Sequence, residues 1–129
     1  MDQAKLLDTH VQLRRIYNLL GEVQDLSRQL AEALDRNDQV SAQMLLSMRG
    51  EPIRQAALAR ESIVQQLAAL PEQEREWLRA LLNGAVTEDP FEKGIVEQAA
   101  ANDRLLKQVQ ELDKGLNMKI TRGESVYES

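Results

Sequence analysis

The chain reads as all-α: an antiparallel bundle of two long N-terminal helices, a short connecting helix and a long C-terminal helix, with a flexible C-terminal tail. Three observations predict this. Leucine and alanine, both strong helix formers, supply most of the apolar mass, and among 129 residues only Tyr17, Trp77, Phe91 and Tyr127 are aromatic. Apolar positions recur at helical intervals over long stretches, which is the pattern of helix faces rather than strands. Turn-forming clusters and prolines then divide the chain into four segments. The length fits one bundle domain, residues 1–120, followed by a tail at 121–129.

The first helix is expected over residues 2–36. Leu6, Leu13, Leu20 and Leu34 fall on one seam position of a heptad and Ile16, Val23 and Leu30 on the other, with Thr9 and Ser27 as exceptions. Leu19, Leu26 and Ala33 widen the stripe, which suits a helix touching more than one neighbour. Asp35-Arg36-Asn37-Asp38 breaks the pattern with turn and cap residues, so a tight reversal is placed there. Short loops make antiparallel neighbours.

A second helix is expected over residues 38–70, with Val40, Met44, Met48, Ile53, Ala56, Ile63, Leu67 and Leu70 as its apolar face. Pro52 cannot donate to the Met48 carbonyl and its ring crowds that turn, so a kink or short break is expected near Gly50 to Pro52. Pro71 opens a short helix over 72–83, with Glu72, Glu74 and Glu76 near its positive end and Gly84 as C-cap. The final helix, 89–120, starts with Asp89 as N-cap before Pro90. Its seam runs through Phe91, Ile95, Gln98, Asn102, Leu105, Val109, Leu112, Leu116 and Lys119. Val96, Ala99, Leu106 and Ile120 lie beside that seam and are expected to stay partly uncovered. Lys107, Lys114, Lys119 and Arg122 suit a helix C-terminus, and Thr121-Arg122-Gly123 is read as the stop.

Composition narrows the function. A net charge of −5 disfavours nucleic acid and anionic membrane surfaces as partners. No cysteine is present, so disulfides and thiolate metal sites are excluded. The opening Met-Asp-Gln-Ala-Lys is not followed by an apolar run, and no stretch approaches the ~18 apolar residues of a membrane span. A cytoplasmic protein without membrane insertion is the expectation. His10 is the lone histidine and stands in no Glu-x-x-His pair, and no phosphate-cradling or nucleophile-elbow motif occurs. No cofactor, metal site or catalytic residue is expected: the chain reads as a non-enzyme.

At the last helix the residues resemble a family. Ala100-Ala101-Asn102-Asp103-Arg104-Leu105-Leu106, then Val109-Gln110-Glu111-Leu112-Asp113 and Leu116-Asn117, then a short Gly/Ser-containing tail with Tyr127, are similar to the C-terminal pattern of the FlgN-like flagellar export chaperones. In that pattern an asparagine precedes a paired leucine and a tyrosine lies in the tail. Met44-Leu45-Leu46-Ser47-Met48-Arg49-Gly50-Glu51-Pro52 resembles the branch found in Gram-positive bacteria. Glu128 and Ser129 depart from it, ending the chain where the family carries small residues.

The resemblance implies a cytosolic flagellar type III secretion chaperone. It would bind the amphipathic terminal segment of hook-associated, filament-junction proteins, prevent premature assembly, and meet the export apparatus as a further partner. The physical mode would be helix-in-groove recognition coupled to folding of the client. By the family's precedent the client docks on the last helix and tail, through Leu105, Leu106, Val109, Leu112, Leu116, Ile120 and Tyr127. Two other readings compete: a filament-cap type chaperone with a different client, and a structural coiled-coil or bundle protein whose heptads form a homo-oligomer.

Overall fold

The computed structural model describes the backbone of residues 1–128 and the side chains of residues 1–122. Four helices follow one another: α1 (Gln3–Asp35), α2 (Gln39–Ala68), α3 (Glu72–Leu82) and α4 (Pro90–Glu128). Aspartates start the three long ones. Asp2 accepts from the Ala4 N–H at 2.7 Å, Asp38 from Ser41 at 3.0 Å and Asp89 from Glu92 at 3.0 Å, satisfying amides that have no partner inside the helix. Pro90 at the first position of α4 loses nothing, because its N–H would have been spare.

The helix ends are as local. After α1 the chain reverses through Asn37, held at φ 58. The Asn37 N–H donates to the Leu34 carbonyl and the Asp38 N–H to the Ala33 carbonyl, the double closure of a Schellman turn. Gly84, at φ 95, closes α3 in the same way, with the Ala85 N–H donating to the Ala80 carbonyl at 2.9 Å. At the far end, Thr121 and Arg122, where the sequence placed the start of the tail, carry helical backbone. The Thr121 hydroxyl donates to the Asn117 carbonyl at 2.8 Å, a bond compatible with a continuing helix. The side chains beyond Arg122, Tyr127 included, lie outside the described residues.

The long helices run up, down and up. Thr9 meets Gln66 and Arg15 meets Gln55, so α2 is antiparallel to α1; Gln24 meets Gln108 and Lys119 pairs with Asp35, so α4 is parallel to α1. α1 is the shared partner. It packs against both α2 and α4, whereas no described Cα of α2 comes within 8 Å of one in α4. The short helix α3 closes one end, setting Leu78 and Leu81 among Leu6, Leu13, Ile63, Leu70 and Ile95. In the middle Leu20 and Val23 of α1 pack on Leu105 and Val109 of α4. At the other end Leu30 and Ala33 meet Ala42, Leu45 and Leu116.

On α2 the expected face is realised at Ala56, Ile63, Leu67 and Leu70, which are buried or half-buried, but not over the first half of the helix. Val40, Met44, Met48 and Ile53 are exposed, and the buried positions are Ala42, Leu45, Pro52, Ala59 and Ile63. These continue through Arg49 and Ala56 as an unbroken alternation of three- and four-residue steps. Side-chain size explains the choice: α1 already brings leucines, and small partners let the two backbones approach. Pro52 belongs to this face, and α2 is one uninterrupted helix through it, so the short break expected at Gly50 to Pro52 does not occur. The apolar seams also contain three buried polar residues, Thr9, Ser27 and Asn102. Ser27 donates to the Val23 carbonyl at 2.6 Å, while Asn102 donates to the Leu13 carbonyl at 2.9 Å and accepts from Gln98 at 3.0 Å.

Two predictions follow from the packing and the cap. Ala59→Leu overfills the α1–α2 seam and costs about 1–3 kcal/mol in urea denaturation, whereas Met44→Asp stays within ~0.5 kcal/mol of the parent. The reverse order would mean that α2 is rotated. The second concerns pH. Hydrogen bonds from the Ser41 side chain and backbone, aided by the Arg36 guanidinium, hold the Asp38 carboxyl below its ordinary value of 3.8. Its contribution to stability is therefore present at neutral pH and lost as pH falls through that lowered value. Asp38→Asn should flatten the melting-temperature profile below about pH 4; superimposable profiles would remove the cap's role.

Candidate helix-docking cleft

Both α2 and α4 are drawn onto α1, α2 by small side chains and α4 by Leu105, Val109 and Leu116. Packed helices normally approach to about 8–10 Å between axes, and here two of the three long ones stay apart. The interval between them, on the side of α2 away from its contact with α1 at Gln55, is the candidate cleft. Among the described residues one charged side chain crosses it. Arg49 of α2, with its side chain only 12% exposed, donates through Nε to the Ser27 hydroxyl at 3.0 Å and through its terminal nitrogen to Asp113 of α4.

This crossing identifies the walls. Asp113 lies seven residues after Leu106 and seven before Ile120, so on α4 these three share one flank. Arg49 lies between Leu46 and Ile53 on α2. Leu46 is 42% exposed, Ile53 46% and Leu106 37%, and Ile120 is half-buried. On α2 the flank continues as Leu46, Gly50, Ile53, Ala57, Arg60 and Val64, in three- and four-residue steps beside the core repeat. Gly50 has open space where a side chain would stand. The walls are thus apolar, with small residues along one of them, and their outer faces are wet. Fully burying a leucine-sized side chain is worth about 1.5–3 kcal/mol. The remaining exposure of Leu46, Ile53 and Leu106 therefore represents roughly 0.5–1 kcal/mol each, available to anything that covers them.

Of the residues the sequence singles out, Leu105, Val109 and Leu116 are buried against α1 and α2, as core. Leu112 is half-buried and lies on the other side of α4. There it lines a shallow recess with Gln24, Arg28, Lys107, Gln108 and Glu111. Leu106 and Ile120 reach the cleft, and Tyr127 lies outside the described residues. The opposite wall, Leu46, Gly50, Ile53, Ala57 and Val64, is absent from the sequence reading. Its signal was available as a second heptad-like repeat displaced by one helical step from the buried one.

The α3–α4 junction is fixed independently. Glu92 accepts from the Trp77 indole and, at 2.8 Å, from the Thr87 hydroxyl, tying α3 and the loop to the first turn of α4. His10 packs on Gly94, where an added Cβ would stand 3.0 Å from the imidazole, so any larger residue there requires the His10 ring to shift. Among the described residues no three acidic or histidine side chains gather into a metal-sized cluster, and no helix is long and apolar enough to cross a membrane. Comparison with protein-family models, with curated proteins and with solved structures finds no match to this chain.

The Arg49 crossing yields an asymmetric prediction. Asp113→Ala leaves a largely buried guanidinium with Ser27 as its one partner and should cost roughly 1–3 kcal/mol. Arg49→Met removes the buried charge and leaves Asp113, 43% exposed, to water. It should cost less than Asp113→Ala in the same urea titration; the opposite ranking would show that Arg49 contributes by packing alone.

Proposed function

We propose that the chain is a carrier that lends a helical surface to an amphipathic segment of another protein and releases it intact. The observation that carries this reading is the unsealed cleft, with Leu46 and Ile53 on one wall and Leu106 on the other, all near 40% exposed beside a well-filled core. A helix laid there would complete a four-helix arrangement from three long helices. Holding a segment that folds only on binding costs ordering energy of about 2–5 kcal/mol, which keeps a specific complex releasable.

The resemblance of the last helix to FlgN-like chaperones gives the carrier a cargo. On this reading it is a cytosolic flagellar export chaperone, its clients are hook-associated filament-junction proteins, and it hands them to the export apparatus. It acts by covering the client's terminal segment rather than by chemistry. The docking surface we assign combines Leu106 and Ile120 with α2 residues Leu46 and Ile53. The alternative, a structural bundle acting through self-association, draws on Val40, Met44 and Met48, which form a further exposed apolar row on α2.

Titration calorimetry of the full chain with the terminal segments of hook-associated proteins tests the reading. Leu106→Asp and Ile53→Asp should weaken binding at least tenfold while leaving helicity and melting temperature near those of the parent. Leu105→Asp, in the core, should lower the melting temperature sharply. A collapse caused by Leu106→Asp, or a stable high-order oligomer by light scattering with no client binding, would favour the structural alternative.

A further inference from the structure

The charges at the cleft's rims are not random. The Arg49–Asp113 pair sets the antiparallel register of α2 and α4: Arg60, eleven residues after Arg49, falls level with residue 102, so Asp103 stands within about one helical turn, ~5 Å, of the same level. Arg60 continues the Leu46 and Ile53 flank, and Asp103 stands three residues before Leu106 on the cleft side of α4. Opposite charges so placed would normally pair, as Arg49 and Asp113 do lower in the same cleft. Yet neither Arg60 nor Asp103 forms an ion pair or hydrogen bond with any described residue.

Neighbouring charges do not answer them. Arg54 is occupied by Glu51, Lys114 by Glu111 and Lys93 by Glu88, while Lys107 turns into the recess shared with Arg28 on the other side of α4. Glu61 lies one residue further round α2, away from the cleft. The upper cleft therefore carries one cation, Arg60, on the α2 rim and one anion, Asp103, on the α4 rim, above apolar walls that include Ile53, Ala57 and Leu106.

Resting on the carrier reading above, we propose that the guest is an amphipathic helix whose polar edges carry opposite charge, carboxylates against Arg60 and ammonium or guanidinium groups against Asp103. The rims then fix the direction in which the guest runs. Turning a helix end for end, with its apolar face held down, exchanges the edge that meets each wall. A guest with polarised edges satisfies both rims in one direction and neither in the other. Electrostatic complementarity of this kind selects register and orientation more than it adds affinity.

The test uses the full isotope-labelled chain and three synthetic amphipathic helical peptides of one composition, leucine-faced and built from glutamate and lysine. One has glutamate on its first edge and lysine on its second, one has the edges exchanged, and one mixes both charges on each edge. Each carries a nitroxide at its N-terminus. The polarised peptides should bind about threefold or more tighter than the mixed one. They should also broaden the amide signals of opposite ends of the cleft, one near Leu46 and the other near Val64. In the double variant Arg60→Glu/Asp103→Lys the two peptides should exchange ends. Equal affinities with both nitroxides at the same end would overturn the rim assignment and leave the carrier reading standing. Failure of all three peptides to bind would remove both.

Discussion

The shared seat on α1 is the constraint from which the rest of the fold follows. α1 is covered from two sides, by a row on α2 that mixes alanine and proline with Leu45 and Ile63, and by branched and leucine side chains on α4. A helix that close on each side lets α2 and α4 share core clusters at the two ends of the bundle while their backbones stay apart. In a symmetric three-helix coiled coil each pair shares a seam. Here one of the three possible seams is open, and a single guanidinium spans it. Burying that charge is costly unless both its partners are in place, so Ser27 and Asp113 act as a pair of anchors rather than as incidental polar groups.

Much of this was legible in the chain itself. The aspartate caps, the reversal at Asn37 and Asp38, the closure at Gly84 and the α4 seam through Ile95, Leu105, Val109 and Leu116 are all local or periodic signals, and the structure realises each. The α2 face was legible in its second half, at Ala56, Ile63, Leu67 and Leu70, and not in its first, because periodicity was judged by bulk. Val40, Met44 and Met48 are larger than Ala42 and Ala59, yet it is Ala42 and Ala59, with Leu45, that turn to α1. At Pro52 the short break does not occur, for a related reason. A missing donor and a crowded turn weaken a helix locally, and packing of that turn on α1 holds α2 continuous. Thr9 and Ser27 stood as exceptions in the α1 heptads and Asn102 as a polar residue in the α4 seam; each has a partner that only the assembled bundle supplies.

The same size argument explains why half of the candidate surface went unseen. A stripe is recognised when its residues are large and evenly apolar, as on the last helix. The α2 wall mixes leucine and isoleucine with glycine and alanine and contains an arginine, so it reads as an ordinary solvated flank until Arg49 shows which way it points. Leu105 and Leu106 then separate cleanly: adjacent in the chain, they lie about 100° apart on the helix, one in the core and one at the cleft.

An odd number of long helices has an electrical consequence. Two of them present their amide ends beside α3 and one presents its carbonyl end there, so the peptide dipoles do not cancel along the rod. Acidic groups collect where the surplus is positive: Asp2, Asp89, and Glu72 and Glu74 of the first turn of α3, with Glu74 close to Lys5. The two poles of the molecule are therefore built unlike, and added salt acts most strongly on the pole where this compensation by surface carboxylates is exposed to water.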